Sequence, residues 1–433
     1  MRATWWAVLA VAAACGNDTA PLAGDAAAHH DAAPDSSDGG SDDVALTVTV
    51  RGAPAGGLAV YFVDAGDAVV ATATTDATGT ARAPLAAGGS VTAVVPDAGS
   101  DGSTELDTIA GVAPGDRLHV AVGSAAPAPL ELTIVVPADT GTSANDYHLF
   151  TPCGDRDITP GGPPIGDHAR PRADNAPVTV TLDDCAGSAI DMVVETSDFI
   201  EDFDGTFYAP GVAIAPGATV TLPGPYGSAA HVAVTVAGVP SGELADSLAF
   251  VATPSGQVFD ALVAVGSSSD AELPPVPDAT AAFITQITPP GTGGVEQDII
   301  DWGALGSAYA VDAGSALLAP ITRGPTVDAP GRAVAWSQGS GAPAEFAVVA
   351  ITTPAARWRL AAPAAPAAPA ARFPTIPGVS LETAVVAELH LVHTAAGYDA
   401  AARAGALDFD FGFAAVPFAG YGTSGRIVIE QLR

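Results

Sequence analysis

Short runs in which apolar side chains alternate with Thr recur along the chain, and this period of two constrains the fold more than any other feature. In one such run Leu46, Val48 and Val50 alternate with Thr47 and Thr49. Side chains alternate between the two faces of a strand, so a run of this kind buries one face of a sheet. Further runs follow at a spacing of roughly ten residues, with Gly, Pro and Asp between them. The pattern predicts an all-β protein built of tandem β-sandwich domains.

Changes in composition divide the chain into three β-rich bodies. A chain of 433 residues exceeds what one core accommodates. The expected domains are a first sandwich over residues 44–123, a second over 130–270, and a third β-rich domain over 279–433. A Ser, Ala and Pro segment at 124–129 and a Pro-rich segment at 272–278 mark the boundaries. The Ala-Pro tract at 361–371 is predicted to be a long surface loop, with a stiff spacer between domains as the alternative.

The N-terminus has the pattern of an export signal that ends at a cysteine. Arg2 precedes an apolar stretch at 3–13, and three alanines lead directly into Cys15. This run resembles the lipobox of bacterial lipoproteins, with Ala where Leu is more usual three residues before the Cys. The resemblance implies cleavage before Cys15 and lipid attachment to its thiol, so residues 1–15 would be the signal and the acceptor. The alternative is an ordinary signal peptide whose apolar region happens to end at a Cys.

Residues 16–43 form an acidic segment that we expect to be a disordered tether. The segment contains seven Asp and neither Lys nor Arg. A chain of this composition cannot bury enough apolar surface to offset the entropy of ordering. Together with the lipobox resemblance, the tether predicts a lipid-anchored protein of the cell envelope, in the outer membrane and facing the periplasm or the outside.

The first module carries a strand-turn-strand motif. A strand that begins after Gly57 is followed by another that enters a turn with Asp76 and Gly79, and the chain leaves the turn through Thr80. This arrangement is similar to that of carboxypeptidase-regulatory-like and bacterial Ig-like modules. The resemblance implies a non-catalytic sandwich that serves as a spacer or an adhesion scaffold. The turn chemistry has its own reason, since Asp accepts bonds from its own backbone and Gly tolerates a positive φ.

The net charge of −33 limits the partners of the chain. All 15 of its Lys and Arg positions are Arg, and they are scattered. Phosphates of nucleic acids and anionic lipid faces repel such a body, so we expect no nucleic-acid partner. No apolar run after the N-terminus reaches the roughly 18 residues of a spanning helix. The expected partners are the membrane, through the lipid anchor only, and a surface polysaccharide or protein, and no cofactor is expected.

Two cysteines remain once Cys15 is assigned to lipid. Cys153 and Cys185 both lie in the second module, and an exported protein meets oxidising conditions in which disulfides persist. We therefore predict a disulfide between them. A catalytic thiol would need a neighbouring His, and the sequence does not place His148 or His168 beside either sulfur.

Asp202 and Asp204 are weak candidates for a calcium site. They begin like an EF-hand loop, but Phe207 stands where glycine is required and Ala213 where the bidentate Glu belongs. We interpret the segment as an acidic surface turn and predict no tight metal site.

No catalytic motif is complete. Glu388, His390 and His393 lie close in sequence, but on a strand the first two share one face and His393 lies on the other. We interpret them as surface residues without a common role. Ser424 lacks the spacing of a hydrolase nucleophile elbow because Arg426 stands where the second glycine belongs. No catalytic residue is therefore predicted.

The leading hypothesis is a membrane-anchored, non-enzymatic body used as a scaffold, for adhesion or for ligand binding. The alternative is a secreted hydrolase with an accessory sandwich, whose catalytic residues would come from long loops such as 151–177. A carbohydrate-binding protein is a third hypothesis and requires exposed, coplanar aromatic rings. Trp302, Trp336 and Trp358 are the Trp residues outside the signal, and we expect each to pack in a core.

Overall fold

Strands make up nearly all of the regular structure. The computed structural model describes residues 42–432 except for residues 52, 97, 99–102, 124–128, 138–145, 152, 158–176, 183–184, 186–187, 198–202, 254–257, 266–267, 289–295, 305, 365–368, 395–396 and 404–424. Over the described residues there are 29 strands and two short helices. The all-β fold class predicted from the sequence is confirmed. None of the helices described is long and apolar enough to cross a membrane.

Two sheets face each other in the first module. Its strands are β1 (Asp43–Val50), β2 (Ala53–Pro54), β3 (Ala59–Val63), β4 (Val69–Thr74), β5 (Thr80–Pro84), β6 (Gly89–Val95), β7 (Thr104–Val112) and β8 (Arg117–Val122). One sheet contains β2, β1, β5 and β8, and the other has β4, β3, β6 and β7 in that order. Leu46 and Val120 from the first sheet share a core with Phe62 and Val91 from the second. The alternation of Val and Thr therefore produces a sandwich.

The turn predicted from Asp76 and Gly79 is present. The Asp76 carboxylate accepts hydrogen bonds from the amides of Thr78, at 2.8 Å, and Thr80, at 3.1 Å. Gly79 has a φ of 75°, and a Cβ there would lie 2.4 Å from the Val48 carbonyl oxygen. Only glycine fits this position, because both the positive φ and the close backbone approach exclude a side chain.

The second module is a separate sandwich. Its strands are β9 (Leu130–Val135), β10 (Asp146–Thr151), β11 (Gly154–Asp157), β12 (Pro177–Leu182), β13 (Ala189–Ser197), β14 (Phe203–Ala213) and β15 (Thr219–Thr221). The sheet β12-β9-β15 packs on the sheet β11-β10-β13-β14, and Leu132, Leu149 and Met192 are buried between them. The predicted disulfide is present: Cys153 and Cys185 are bonded, with Cα atoms 4.9 Å apart.

The remaining elements form the third body. They are β16 (Ala230–Ala237), β17 (Leu244–Ala252), β18 (Val258–Val265), β19 (Ser268–Leu273), β20 (Thr280–Thr288), β21 (Glu296–Ala304), β22 (Ala308–Asp312), α1 (Ala313–Ala316), β23 (Ile321–Asp328), β24 (Ala333–Gln338), β25 (Phe346–Thr352), β26 (Ala356–Pro363), β27 (Ala370–Arg372), β28 (Val385–Thr394), α2 (Gly397–Arg403) and β29 (Gly425–Leu432). The small sheets β19-β16-β22 and β23-β24-β27 cover one face of a long sheet, through Val234, Trp336 and Phe283 among others.

The long sheet joins the first and third bodies. It has twelve strands in the order β18-β17-β20-β21-β29-β28-β25-β26-β7-β6-β3-β4. The joint is the parallel pairing of β26 with β7, from Ala356 beside Thr104 to Ala361 beside Ile109. We call this pairing the seam. The sequence analysis did not predict β7, because Asp107 and Thr108 interrupt its apolar pattern although both are buried.

Two other expectations differ from the structure. The sequence placed residues 130–270 in one module, whereas β16 to β19 pair with strands of the third body, so the strand pairing changes after β15. The Ala-Pro tract at 361–371 was predicted to be a surface loop, yet its two ends lie in β26 and β27. Proline is tolerated there because Pro363 is the last residue of its strand.

Polar contacts hold both faces of the seam. Arg359 donates to Asp107 through Nε at 2.6 Å and Nη2 at 3.0 Å, and Nη2 also reaches the Ala121 carbonyl at 3.1 Å. On the other face the Trp358 indole donates to Thr108 Oγ1 at 2.8 Å. A two-bond Arg–carboxylate pair fixes the register of two strands as well as their contact.

We predict that Arg359→Met lowers the free energy of unfolding by about 3–5 kcal/mol, because it leaves the Asp107 charge buried without its partner. The Asp107 side chain is only 7% exposed. Urea denaturation followed by Trp fluorescence measures the free energy of unfolding, because Trp358 lies next to the substituted residue.

The matched control is Arg357→Met, which breaks the ion pair between Arg357 and Glu388. The side chains of this pair are 38% and 39% exposed, respectively. It should cost less than about 1 kcal/mol. The double variant Asp107→Leu with Arg359→Met should recover much of the loss. Equal effects of the two Arg substitutions would contradict the role given to the seam.

Candidate functional site

Three carboxyl groups and a histidine meet where the second module contacts the third body. We call Glu195, His231, Asp270 and Glu272 the acid–histidine cluster. Glu195 lies on β13, His231 on β16, and the other two on β19. The contact between these bodies is also apolar, since Val193 of β13 packs in the same core as Val232. The cluster therefore sits at the edge of a packed junction.

Strand periodicity sets the direction of the three outer side chains. On β16, Val232 and Val234 face the core, so His231 faces outward. His231 stands directly opposite Glu272 in the antiparallel ladder. Its Nδ1 lies 3.0 Å from Asp270 Oδ2 and 3.7 Å from Glu272 Oε1. One imidazole thus faces two carboxylates.

Glu195 is the buried member of the cluster, with 6% of its surface exposed. Burial raises its pKa to about 8, and the nearby charge of Glu272 acts in the same direction. A lone carboxylate is costly to bury, so the group takes up a proton instead. At neutral pH a protonated carboxyl therefore lies near an acid that remains accessible to solvent.

This arrangement is suited to proton transfer rather than to metal binding. A buried carboxyl whose pKa is raised, near a second carboxyl, is the pairing that general acid–base chemistry uses. Over the residues that the structure describes, no three His, Cys, Asp or Glu side chains are placed to hold a metal ion. The cluster also holds no Ser or Cys, so it is not a nucleophile–base pair.

A second constellation lies on the long sheet. His390 was interpreted from the sequence as a surface residue, but it is 2% exposed. Its Nε2 lies 3.7 Å from Glu388 Oε2. This contact with His390, together with the charge of Arg357, lowers the pKa of Glu388. His393 lies on the opposite face near Glu345, so the predicted division of faces is correct and the predicted exposure of His390 is wrong.

A small cavity is present among the described residues. It lies at the seam, is lined by Asp107, Thr108, Val348 and Arg359 among others, and has a volume of about 20 Å³. A space of this size holds about one water molecule. It has no room for an organic substrate.

Of the site residues predicted from the sequence, Cys153 and Cys185 are brought together in the disulfide. Cys15 and Asp202 lie outside the described residues, as does His168. Asp204 lies in β14, and the calcium candidate stays untested. His148 lies in β10, opposite Glu195 in the neighbouring strand.

The three Trp residues expected to be in cores are buried, as predicted. Trp358 packs edge-on against Phe373 with ring centroids 5.1 Å apart, and the Arg332 guanidinium lies over its ring. These rings are therefore not the exposed, coplanar platform that carbohydrate binding requires.

Sequence reasoning missed the acid–histidine cluster for a topological reason. The segment 272–278 was interpreted as a domain boundary, so Glu272 was expected in a linker and not beside Glu195. No local signal marked Glu195 as buried, because Glu is rarely buried unless it is paired. Its partners also come from strands far along the chain, and their pairing was not predicted.

Comparison with known proteins gives weak likenesses only. No protein-family model matches the chain, and no curated protein matches it. The Bacillus anthracis TIE protein is 11% identical, with 56% of this chain and 44% of that chain covered and a TM-score of 0.15. The shaft pilin SpaA from Lactobacillus rhamnosus GG is 12% identical, with 42% and 98% covered and a TM-score of 0.16. A variant of BcpA, the major pilin subunit of Bacillus cereus, is 10% identical, with 62% and 98% covered and a TM-score of 0.13.

The chain thus spans less than half of the TIE protein. At these identities and TM-scores the matches carry no functional argument. The fold class rests on the strand pairing within the chain itself.

We predict that Glu195→Gln makes stability less dependent on pH. The folded pKa lies above the usual value of 4.5, so the native state holds a proton that the unfolded state releases. Stability therefore falls as the pH rises from about 4.5 to about 8 and stays low above that range. Gln has the shape of the neutral acid and removes this loss, so the variant should gain on the order of a few kcal/mol at pH 9.

Urea midpoints measured from pH 5 to pH 9 test this prediction. Glu382→Gln, at an exposed Glu in the segment before β28, is the control and should leave the pH profile unchanged. Parallel profiles for the Glu195 variant and the wild type would show that the carboxyl is ionised in the folded protein.

Proposed function

We propose that the chain is an exported lipoprotein, anchored through Cys15 in the outer membrane, whose body is a non-enzymatic scaffold for adhesion or ligand binding. The single observation that supports it most is the continuous twelve-stranded sheet. A sheet that runs unbroken through two bodies, with a buried ion pair and a close-packed core at the joint, resists bending. Such a body suits a protein that holds a binding surface away from a membrane.

The sequence at the N-terminus supports the anchor. The acidic segment at 16–43 would act as a flexible spacer, with a mean span on the order of 30 Å. The lipoprotein pathway attaches more than one acyl chain, and two or more chains give stable anchoring. The net charge of −33 would keep the body from lying on an anionic lipid surface.

We predict that Cys15→Ala abolishes membrane anchoring, because it removes the thiol that accepts lipid. Wild type and variant are expressed with the full N-terminus, and each is partitioned between detergent and water. The wild type should enter the detergent phase and the variant should remain aqueous. Ser36→Ala, in the proposed tether, is the matched control and should behave as the wild type does. Recovery of the wild type in the aqueous phase would refute lipidation.

A hydrolase is the second candidate function, and the acid–histidine cluster is the observation that favours it. A protonated Glu195 could act as the acid and Glu272 as the base of a glycosidase-type pair. The exposed position of His231 argues against it, since water competes for every group in an open site.

We predict no turnover of esterase, protease or glycosidase substrates above the blank, and only weak calcium binding. Dispersed carboxylates do not supply the six to eight convergent oxygens that Ca²⁺ prefers, so millimolar calcium should barely shift the melting temperature. Wild type, Glu195→Gln and Glu272→Gln are screened together. Turnover that both substitutions remove would show that the protein is a hydrolase. A stoichiometric calcium site with micromolar affinity would refute the prediction of weak calcium binding.

A further inference from the structure

The edge strand β4 differs from the other outer strands of the described sheets. Natural sheets protect their edges with charged residues, prolines or very short strands, because an open edge pairs with other chains. Each of the other outer strands contains a charged residue or a proline, or has no more than three residues: β2, β5, β8, β11, β12, β14, β15, β18, β19, β22, β23 and β27. The sequence of β4 is Val-Val-Ala-Thr-Ala-Thr, with none of these devices.

Both the side chains and the backbone of β4 are open to a partner. Val69 is 38% exposed and Val70 is 51% exposed, while Thr72 and Thr74 are exposed as well. The Thr75 amide points inward, donating to the Leu58 carbonyl oxygen at 2.9 Å. Amides alternate in direction along an antiparallel strand, so those of Thr72 and Thr74 point away from the sheet. They are free to bond an added strand.

Charge selects the kind of strand that fits. Asp64 precedes β4 and Asp76 follows it, so one carboxylate stands at each end of an uncharged strand. Asp67 is not counted, because it accepts hydrogen bonds from Thr375 and lies 3.6 Å from the Arg372 guanidinium. Hydrogen bonds from the Thr78 side chain and from backbone amides lower the pKa of Asp76 and keep it ionised. A second copy in antiparallel pairing would bring its own Asp residues against these, between bodies of charge −33 each. A strand with basic ends meets attraction instead.

We propose that β4 is a docking edge for an extended segment of another protein, with an uncharged β-branched centre and Arg or Lys at both ends. Main-chain hydrogen bonds to Thr72 and Thr74 would supply affinity, as in other cases of strand addition. The flanking carboxylates would set the charge preference and speed the encounter. This inference rests on the proposed function in one respect, that the body is used for binding.

The test uses the full chain and a synthetic peptide with Thr-Val-Thr-Val-Thr at its centre and two Arg at each end. Titration calorimetry should detect binding that weakens with salt. Hydrogen exchange should show new protection of the Thr72 and Thr74 amides. A peptide of the same sequence with N-methyl groups on alternate central amides keeps every charge but loses the main-chain donors, and should bind at least about tenfold more weakly.

Two variants localise the site. Thr72→Pro removes an outward amide that the β3–β4 ladder does not use, and should weaken binding about tenfold. Thr72→Val keeps the amide and should bind as the wild type does. If Thr72→Pro fails to fold, the N-methylated peptide still decides the matter on the wild-type protein.

Three results would overturn the proposal. They are equal binding of the N-methylated peptide, equal binding of a peptide with Asp in place of Arg, and self-association of the chain through β4. The assay requires neither lipid nor membrane, so its failure leaves the anchoring proposal standing. Conversely, if the wild type remained in the aqueous phase in the detergent test, the anchoring proposal would fail and the peptide-binding result would still stand.

Discussion

The pairing of β7 with β26 is the contact on which the long sheet depends. The two strands are about 250 residues apart in the chain, and loop closure makes such contacts entropically costly. Side-chain hydrogen bonds on both faces of the seam offset this entropic cost. Arg359 donates to Asp107 on one face, and Trp358 donates to Thr108 on the other. The fit is also steric, since Gly111 has a φ of 71° and a Cβ there would lie 2.8 Å from Pro363. Without this seam β7 would be an open edge strand, and Asp107 would lose its Arg359 partner.

Sequence patterns predicted best those strands that have one face in water. In the first module the run from Leu46 to Val50 lies in β1, with Leu46 and Val48 buried and Thr47 and Thr49 partly exposed. The pattern fails where both faces are buried, as in β7, because the polar residues there are paired inside the protein rather than solvated. Its register against β26 depends on a residue from the far end of the chain, and no local signal specifies it.

The same limit applies to the candidate site. The strand that contains Glu195 was predictable, and the outward direction of His231 follows from its neighbours Val232 and Val234. Their meeting at one junction was not predictable, because it depends on the pairing of β16 with β19 and on the packing of two bodies. The Cys153–Cys185 disulfide was predictable, because an exported protein meets oxidising conditions and only two cysteines remain once Cys15 is assigned to lipid.

The composition limits how the chain can handle its buried acids. With 48 carboxylates and 15 Arg, most acids have no cation available, and the structure uses other means for those that are buried. Asp107 forms an ion pair with Arg359. Glu430 accepts the Ile321 amide at 2.7 Å, and burial still raises its pKa to about 7. Glu195 keeps a proton.

A protonated acid carries no charge, so each one reduces the repulsion within a body of charge −33. Glu195 and Glu430 both lose their protons as the pH rises, and the repulsion then increases. A fold of this composition is therefore better suited to mildly acidic surroundings than to alkaline ones.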